Sequence, residues 1–270
     1  MGHVYASSDW HGCKAVAEQV FNFLKDDDVL FLLGDCQDRG ENGIWILNEI
    51  MNRANITYIK GNHDQLMHDA LLEANNNLKA GMWYENDLYN SLWFVNGGNV
   101  TFDNSDISKK NLAGSGKYIE FIEKLPTEIT YRSPQGHTVI LEHAGYTPYG
   151  YFNNKHDPLW DRKHFLDCWA GEKDEQLFMV HGHTPVQYLR FEYGYNSMEP
   201  LTKEEKKIRK SWYVNGYIPH IIRYCDGHKF DIDLCTIVSK RIALLDLDNF
   251  EEIYFNERGI VENGTGICNK

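Results

Sequence analysis

From His3 to Ser8, apolar and polar positions alternate, the two-residue period of a half-buried strand. A polar loop follows, Ser8-Asp9-Trp10-His11-Gly12, and then Val16, Val20, Phe21 and Leu24 recur at helical spacing. The unbroken apolar run Val29-Leu30-Phe31-Leu32-Leu33 predicts a strand buried on both faces. It ends in Gly34-Asp35-Cys36-Gln37-Asp38-Arg39-Gly40, two carboxylates and an arginine between two glycines. A second helix is predicted over about 42–52, with Ile44, Leu47, Ile50 and Met51 on one side. Ile56-Thr57-Tyr58-Ile59-Lys60, β-branched and aromatic, predicts a third strand that delivers Gly61-Asn62-His63-Asp64. Three strand–loop units alternating with helices predict a βαβαβ pattern and a parallel sheet. Loops after such strands line one edge, where ligands bind. Asp9, His11, Asp35, Asn62 and His63 are therefore expected to converge.

Beyond this the pattern changes. Asn75-Asn76-Asn77, Asn96-Gly97-Gly98-Asn99 and Gly114-Ser115-Gly116 break residues 65–125 into short helices, read as a helical insertion over the sheet edge. Strands are predicted at Thr138–Leu141, ending in Glu142-His143-Ala144-Gly145, and at Leu177–Val180, ending in His181-Gly182-His183-Thr184-Pro185. Residues 186–215 are polar and tyrosine-rich, a second insertion. Strand-like runs at Ile221–Cys225, Phe230–Leu234, Ile242–Leu247 and Glu252–Phe255, with turns at Asp226-Gly227 and Asp248-Asn249, predict a mainly antiparallel second half. The tail after Gly259 is expected to fray. With no repeat or linker, residues 1–270 read as one domain.

Composition narrows the classes. An apolar content of 42% in 270 residues supplies a sizeable core. No run of 18 apolar residues predicts a membrane span. The N-terminus lacks a charged stretch followed by an apolar one, so no signal peptide is expected. Six scattered cysteines without a C-x-x-C pair read as reduced thiols in a cytoplasmic protein. A formal charge of −12 argues against a nucleic-acid partner. The basic run Lys203–Lys210 is interleaved with glutamates and reads as a solvated helix face.

Five predicted strand ends now offer Asp-x-His, Gly-Asp-x-x-Asp-Arg-Gly, Gly-Asn-His-Asp, His-Ala-Gly and Gly-His-Thr. Mixed Asp, His and Asn donors suit Mn, Fe or Zn. They are too many for one four-coordinate ion, but a pair of ions about 3.5–4 Å apart, bridged by one carboxylate, uses them all. Taken alone, Asp9 and Asp35 read first as helix N-caps, with an exposed loop histidine the alternative reading of His63 and a satisfied strand-end residue that of His143.

In this order and spacing, the five motifs resemble those of the calcineurin-type metallophosphoesterases. The similar branch holds the serine/threonine phosphoprotein phosphatases and the bacterial symmetrical diadenosine tetraphosphatases. The resemblance implies a four-layer αββα sandwich, two mixed β-sheets flanked by helices, with a dimetal site at the strand ends. It implies that Asp9 and His11 hold one ion, that Asn62, His143 and His183 hold the other, and that Asp35 bridges. It implies His63 as general acid, paired with Asp38, and Arg39 as a phosphate clamp. Arg162, in Leu159-Trp160-Asp161-Arg162, resembles a second clamp. The implied cofactors are two divalent ions, Mn foremost, with Fe, Zn, Ni or Co as other fits. The expected reaction is attack on a phosphoester by a hydroxide bridging the ions. The substrate is a phosphorylated protein or, alternatively, a dinucleoside polyphosphate or other nucleotide. A non-catalytic binding protein of this fold is opposed by the intact ligand set.

The departures split between these substrates. Gly-Asn-His-Asp and His-Ala-Gly resemble the tetraphosphatase forms, and Leu-Trp-Asp-Arg the protein phosphatase form. Ser8 stands where the family often has glycine, tolerable if its backbone angle is ordinary. Asn96-Gly97-Gly98 after Trp93 also resembles a short segment of these enzymes. His181 stays a candidate for contact with the site. Cys36 reads as a small buried hydrophobe, Trp10 as wall rather than substrate platform, and the aromatics of 83–94 and 145–160 as cap packing or base-stacking surface. His3, His137, His156, His164, His220 and His228 read as surface or packing residues.

Overall fold

The apolar runs separate into strands because each has two faces to bury. A computed structural model describes residues 2–82, 88–107, 112–145, 157–162, 174–186 and 218–265. Strands β1 (Val4–Ser7), β2 (Val29–Leu32) and β3 (Ile56–Tyr58) pair in parallel. Helices α1 (Lys14–Phe23) and α2 (Gly43–Met51) make the crossovers. Helix α3 (Asn62–Lys79) follows β3 directly. Next come the short helix α4 (Asn99–Asp103) and then α5 (Gly116–Glu123). A second sheet holds β4 (Glu128–Arg132), β5 (Thr138–Glu142), β6 (Leu177–His181), β7 (Ile222–Tyr224) and β8 (Lys229–Asp231) in the order β4-β5-β6-β8-β7. After helix α6 (Thr236–Ser239), strands β9 (Ile242–Asp246), β10 (Glu251–Asn256) and β11 (Gly259–Thr265) return to the first sheet, ordered β11-β10-β9-β1-β2-β3.

The architecture is two mixed sheets with flanking helices. Ala6, Leu33 and Ile59 from the first sheet meet Val139, Leu141, Val180 and Phe230 from the second in the core between them. On the opposite face Tyr5, Leu30, Leu32 and Tyr58 pack against Val16, Val20, Leu47 and Met67 of the helices. Sitting between these layers, β2 must be apolar at every position.

Several expectations are corrected. Gly61-Asn62-His63-Asp64 is not a loop: Asn62, His63 and Asp64 form the first turn of α3. Strand β8 runs parallel to β6, so the second half is less antiparallel than expected. The segment after Gly259 does not fray but pairs with β10 as β11. Strand β4 escaped notice although Glu128-Ile129-Thr130-Tyr131-Arg132 alternates cleanly, as an edge strand should. Cys13 and Cys36 are free thiols, but Cys225 is disulfide-bonded, its partner outside the described residues. The cysteines therefore do not argue for a reducing compartment. The described parts of residues 65–125 are largely helical. All but the first residue of the expected insertion 186–215 lies outside the described residues, as do His156 and His164. Among the described residues no helix is long and apolar enough to cross a membrane.

Trp10 is fully buried, its ring edge-on to Phe21 and its Nε1 donating to Ser7 Oγ at 2.8 Å. It is wall, not a substrate platform. Trp10→Ala should cost about 3–5 kcal/mol of stability in urea unfolding. A loss below about 1 kcal/mol would mean the indole is not part of the core.

Candidate metal centre

The loops after β1, β2, β5 and β6 and the first turn of α3 meet at one sheet edge. Asp9, His11, Asp35, Asn62, His63, His143 and His183 are all buried there. Asp9, His11, Asp35, Asp38, Arg39 and His183 adopt left-handed backbone angles, with φ from 42° to 67°. Non-glycine residues take this conformation at a cost, and such residues cluster at functional sites. Ser8 has no such angle, which is why serine is tolerated there. Its hydroxyl donates to Asp9 Oδ2 at 2.5 Å.

Two groups of donor atoms, each within 4.8 Å of one another, are His11, Asp35 and His63, and Asp35, His143 and His183. Asp35 is the member common to both. Its Oδ2 lies 3.4 Å from His143 Nε2 and 4.0 Å from His63 Nε2, while Oδ1 accepts the His63 backbone N–H at 2.9 Å. Asp35 thus faces the N-terminus of α3, where the helix dipole favours an anion. Asp9 Oδ1 is 3.9 Å from His11 Nε2, and its Oδ2 accepts the His183 backbone N–H at 2.9 Å. Neither Asp9 nor Asp35 caps the helix that follows it; the N-caps of α1 and α2 are Cys13 and Asn42.

The donor set fits divalent cations. His11 Nδ1 donates to Gln37 O at 3.0 Å and His143 Nδ1 to Leu33 O at 2.6 Å. Each ring therefore turns Nε2 inward, as second-shell carbonyls do for ligating histidines. Asn62 Oδ1, itself an acceptor, sits 2.9 Å from both His143 Nε2 and His183 Nδ1. The buried carboxylates of Asp9 and Asp35 call for positive charge. The protein's own cations answer this partly. Burial alone would push the His143 pKa down, but the Asp35 and Asp9 carboxylates lift it to about 10. Burial alone would raise Asp35, yet the His143 and His63 charges hold it well below the usual carboxylate range. His11 and His183 are pushed well below the ordinary histidine value by burial and neighbouring cations, so they stay neutral as ligands must.

Two arginines border the cluster. Arg39 donates through Nη1 to His11 Nε2 and through Nη2 to His63 Nε2, both at 2.8 Å. Arg162 Nε donates to His183 Nε2 at 3.2 Å. His63 Nδ1 is bound to Asp38 Oδ2 at 2.8 Å. Burial lowers the His63 pKa, but Asp35 and Asp38 outweigh it and raise it. Because Nε2 accepts from Arg39, proton uptake there requires Arg39 to let go.

Some functional neighbours were missed. Asp64 accepts the Gly61 and Asp35 backbone N–H groups at 2.8 and 3.2 Å and the Tyr58 hydroxyl at 2.8 Å, bracing the turn between the second and third motifs. Burial and the Asp35 charge raise its pKa to about 7. Trp93 and Thr101 bind Asp38 from the helical segment. Only Asp64 had a signal, an acidic residue in the first turn of a helix that starts after Gly61. His181 lies apart from both donor groups: its ring contacts Gly182 O at 3.0 Å and Tyr224 Oη at 2.7 Å. Cys36 is buried, and burial and Asp64 push its thiol pKa well up, so it is not a reactive thiolate. His137 and His228 pack on Phe178, and His3 and His220 pair with Asp246 and Glu262.

Residues 2–216 match the family model of the calcineurin-like phosphoesterases. The chain belongs to this family. No curated protein matches it. Among solved structures, this calcineurin-like phosphoesterase is similar to a "putative diadenosine tetraphosphatase" at 14% identity and a TM-score of 0.52, covering 94% of each chain. It is similar to a metallophosphoesterase from Sphaerobacter thermophilus at 12% identity and a TM-score of 0.51, covering 97% of this chain and 89% of that one. It is also similar to a mutant of a cold-active protein tyrosine phosphatase at 14% identity and a TM-score of 0.54, covering 97% and 80%. At these identities the likeness is one of fold.

Asp35→Asn should lower metal content at both positions, measured by elemental analysis of purified protein; full occupancy of both would show that Asp35 is not shared. A second expectation concerns His181, whose pKa burial depresses to about 3. Its neutral form is the folded one, so its contribution is fully present above the unfolded value of about 6.5 and is lost as pH falls from there toward 3. Urea unfolding across pH 4–7 should show this decline, and His181→Asn should flatten it.

Proposed function

We propose that this calcineurin-like phosphoesterase is a dimetal phosphomonoesterase acting on phosphoserine and phosphothreonine, with Mn²⁺ as the favoured ion. In this reading Asp9, His11 and Asp35 hold one ion, and Asp35, Asn62, His143 and His183 hold the other. The observation that carries the substrate choice is the pair of guanidinium groups. Arg39 reaches His11 and His63, and Arg162 reaches His183. Arg39 holds a lone pair that ligation would claim on His11 and one that a proton would claim on His63, Arg162 holds one on His183, and both arginines can exchange these for phosphate oxygens. A phosphomonoester dianion offers three terminal oxygens, enough for two forked arginines as well as metal.

Two divalent ions held by these residues would lower the pKa of a water and neutralise charge on the phosphoryl group. Arg39 and Arg162 orient the phosphoryl oxygens for in-line displacement. As the ester P–O bond breaks, the leaving oxygen takes the proton on His63 Nε2. Asp38 holds the other ring nitrogen, fixing which nitrogen faces the substrate and stabilising the protonated ring. Release of Arg39 from His63 Nε2 onto phosphate opens that nitrogen for its proton.

A second reading, hydrolysis of dinucleoside polyphosphates, is favoured by Trp160. This ring is 45% exposed and stands edge-on to His183 at 6.0 Å, where a base could stack on its face.

With Mn²⁺, kcat/KM on phosphopeptides should exceed that on diadenosine tetraphosphate, and the reverse order would select the second reading. His63→Asn should retain its metal but lose roughly 10²–10⁴-fold in turnover. Unchanged turnover would remove His63 as proton donor.

A further inference from the structure

The proton donor is held by a chain of contacts that begins in the helical segment above the sheet edge. Asp38 is fully buried, and its two oxygens share only the Trp93 indole as a partner. Oδ2 takes His63 Nδ1 at 2.8 Å. Oδ1 takes the Trp93 indole Nε1 at 2.9 Å and the Thr101 hydroxyl at 2.9 Å. The Thr101 hydroxyl also accepts the Asp38 backbone N–H at 2.8 Å, so one side chain grips both ends of the residue. The indole leans on Oδ2 as well, at 3.1 Å.

The backbone between them is shaped to this purpose. Trp93 is fully buried beside Phe94. A Cβ at Gly98 would collide with the indole around Nε1, so only glycine lets the chain pass there. Gly97 has φ +104°, and its carbonyl accepts the Arg39 backbone N–H at 3.1 Å. Residues 93–101 thus close on Asp38 and Arg39 together.

We propose that Trp93 and Thr101 are positioning residues for the proton donor: by clamping Asp38 Oδ1 they aim Oδ2 at His63 Nδ1 and so aim His63 Nε2 at the leaving oxygen. The inference rests on His63 being that donor. A buried carboxylate with one hydrogen bond can rotate about its Cβ–Cγ bond; with donors on both oxygens it cannot without leaving one unpaired, which is costly in the interior. Orientation errors of this size cost up to roughly 10²-fold in rate. The helical segment would then act on substrate choice through the leaving group, since only poor leaving groups need the proton.

The test is a series of aryl and alkyl phosphates of rising leaving-group pKa, from 2,4-dinitrophenyl to alkyl phosphate, with the Mn²⁺-loaded protein. His63→Asn, Trp93→Phe, Thr101→Val and Thr101→Ser are compared with the wild type. Trp93→Phe and Thr101→Val should lose roughly 10–10²-fold on the alkyl ester and little on the dinitrophenyl ester. Their slopes against leaving-group pKa should fall between those of wild type and His63→Asn. Thr101→Ser, which keeps the hydroxyl, should return the wild-type slope, so the threonine pair decides the matter even if Trp93→Phe folds poorly. In the metal-free protein, the hydrogen-bonded His63 Nδ1 proton should give a slowly exchanging imidazole resonance that Thr101→Val loses and Thr101→Ser keeps. An equal loss on every ester, or no loss, in Thr101→Val would overturn the clamp while leaving His63 as donor. A wild-type slope in His63→Asn would overturn both.

Discussion

A carboxylate buried among other acceptors is the constraint around which this molecule is built. Asp35 is 2% exposed, and an isolated anion at such depth costs several kcal/mol. The protein surrounds it with the N-terminus of α3, the protonated ring of His143 and the backbone of the next motif. Each comes from a different element, so the two sheets and α3 must dock together before Asp35 is compensated. Even then the cluster holds an excess of acceptors, which the arginines and a histidine proton answer only in part. A fold that gathers this many acceptors gains most when divalent cations complete it, because binding the folded state alone adds to stability.

The strand–loop–helix rhythm of the first half was legible because β2 and its neighbours are buried on both faces, and apolar runs of that length admit few other readings. The motif residues were legible for a related reason: polar groups at the ends of parallel strands share an edge. What escaped were features carried by weak patterns. Strand β4 has a clean alternation, but five residues at an edge compete with turn and loop readings. Strand β11 contains Gly259, Asn263 and Gly264, residues that signal turns, and only its pairing with β10 makes it a strand. The helical start at Asn62 was hidden because its capping group, Asp64, lies within the motif and acts on the backbone of Gly61. Cys225 shows that cysteine spacing says little about pairing across a folded chain.

The contacts of Trp93 and Thr101 to Asp38 could not be read from the chain. Trp93 and Thr101 are 55 and 63 residues away from it, and a tryptophan in an apolar segment predicts packing rather than hydrogen bonding. The Gly97-Gly98 pair was visible, but its reason lies in three dimensions: one glycine admits the indole and the other the backbone of Arg39.

The order of strands in the first sheet has a consequence for biosynthesis. Strand β1, which leads to Asp9, is central, with β2 on one side and β9 on the other, and Tyr5 pairs with Asp246. A ribosome adding about 5–20 residues per second needs roughly 10–50 s to deliver the partner after β1 has emerged. Through that interval one edge of the nascent sheet is unpaired and its apolar face toward β9 is bare. Asp9, the first of the clustered carboxylates to be made, therefore waits for residues 242–246 before its strand is paired on both sides.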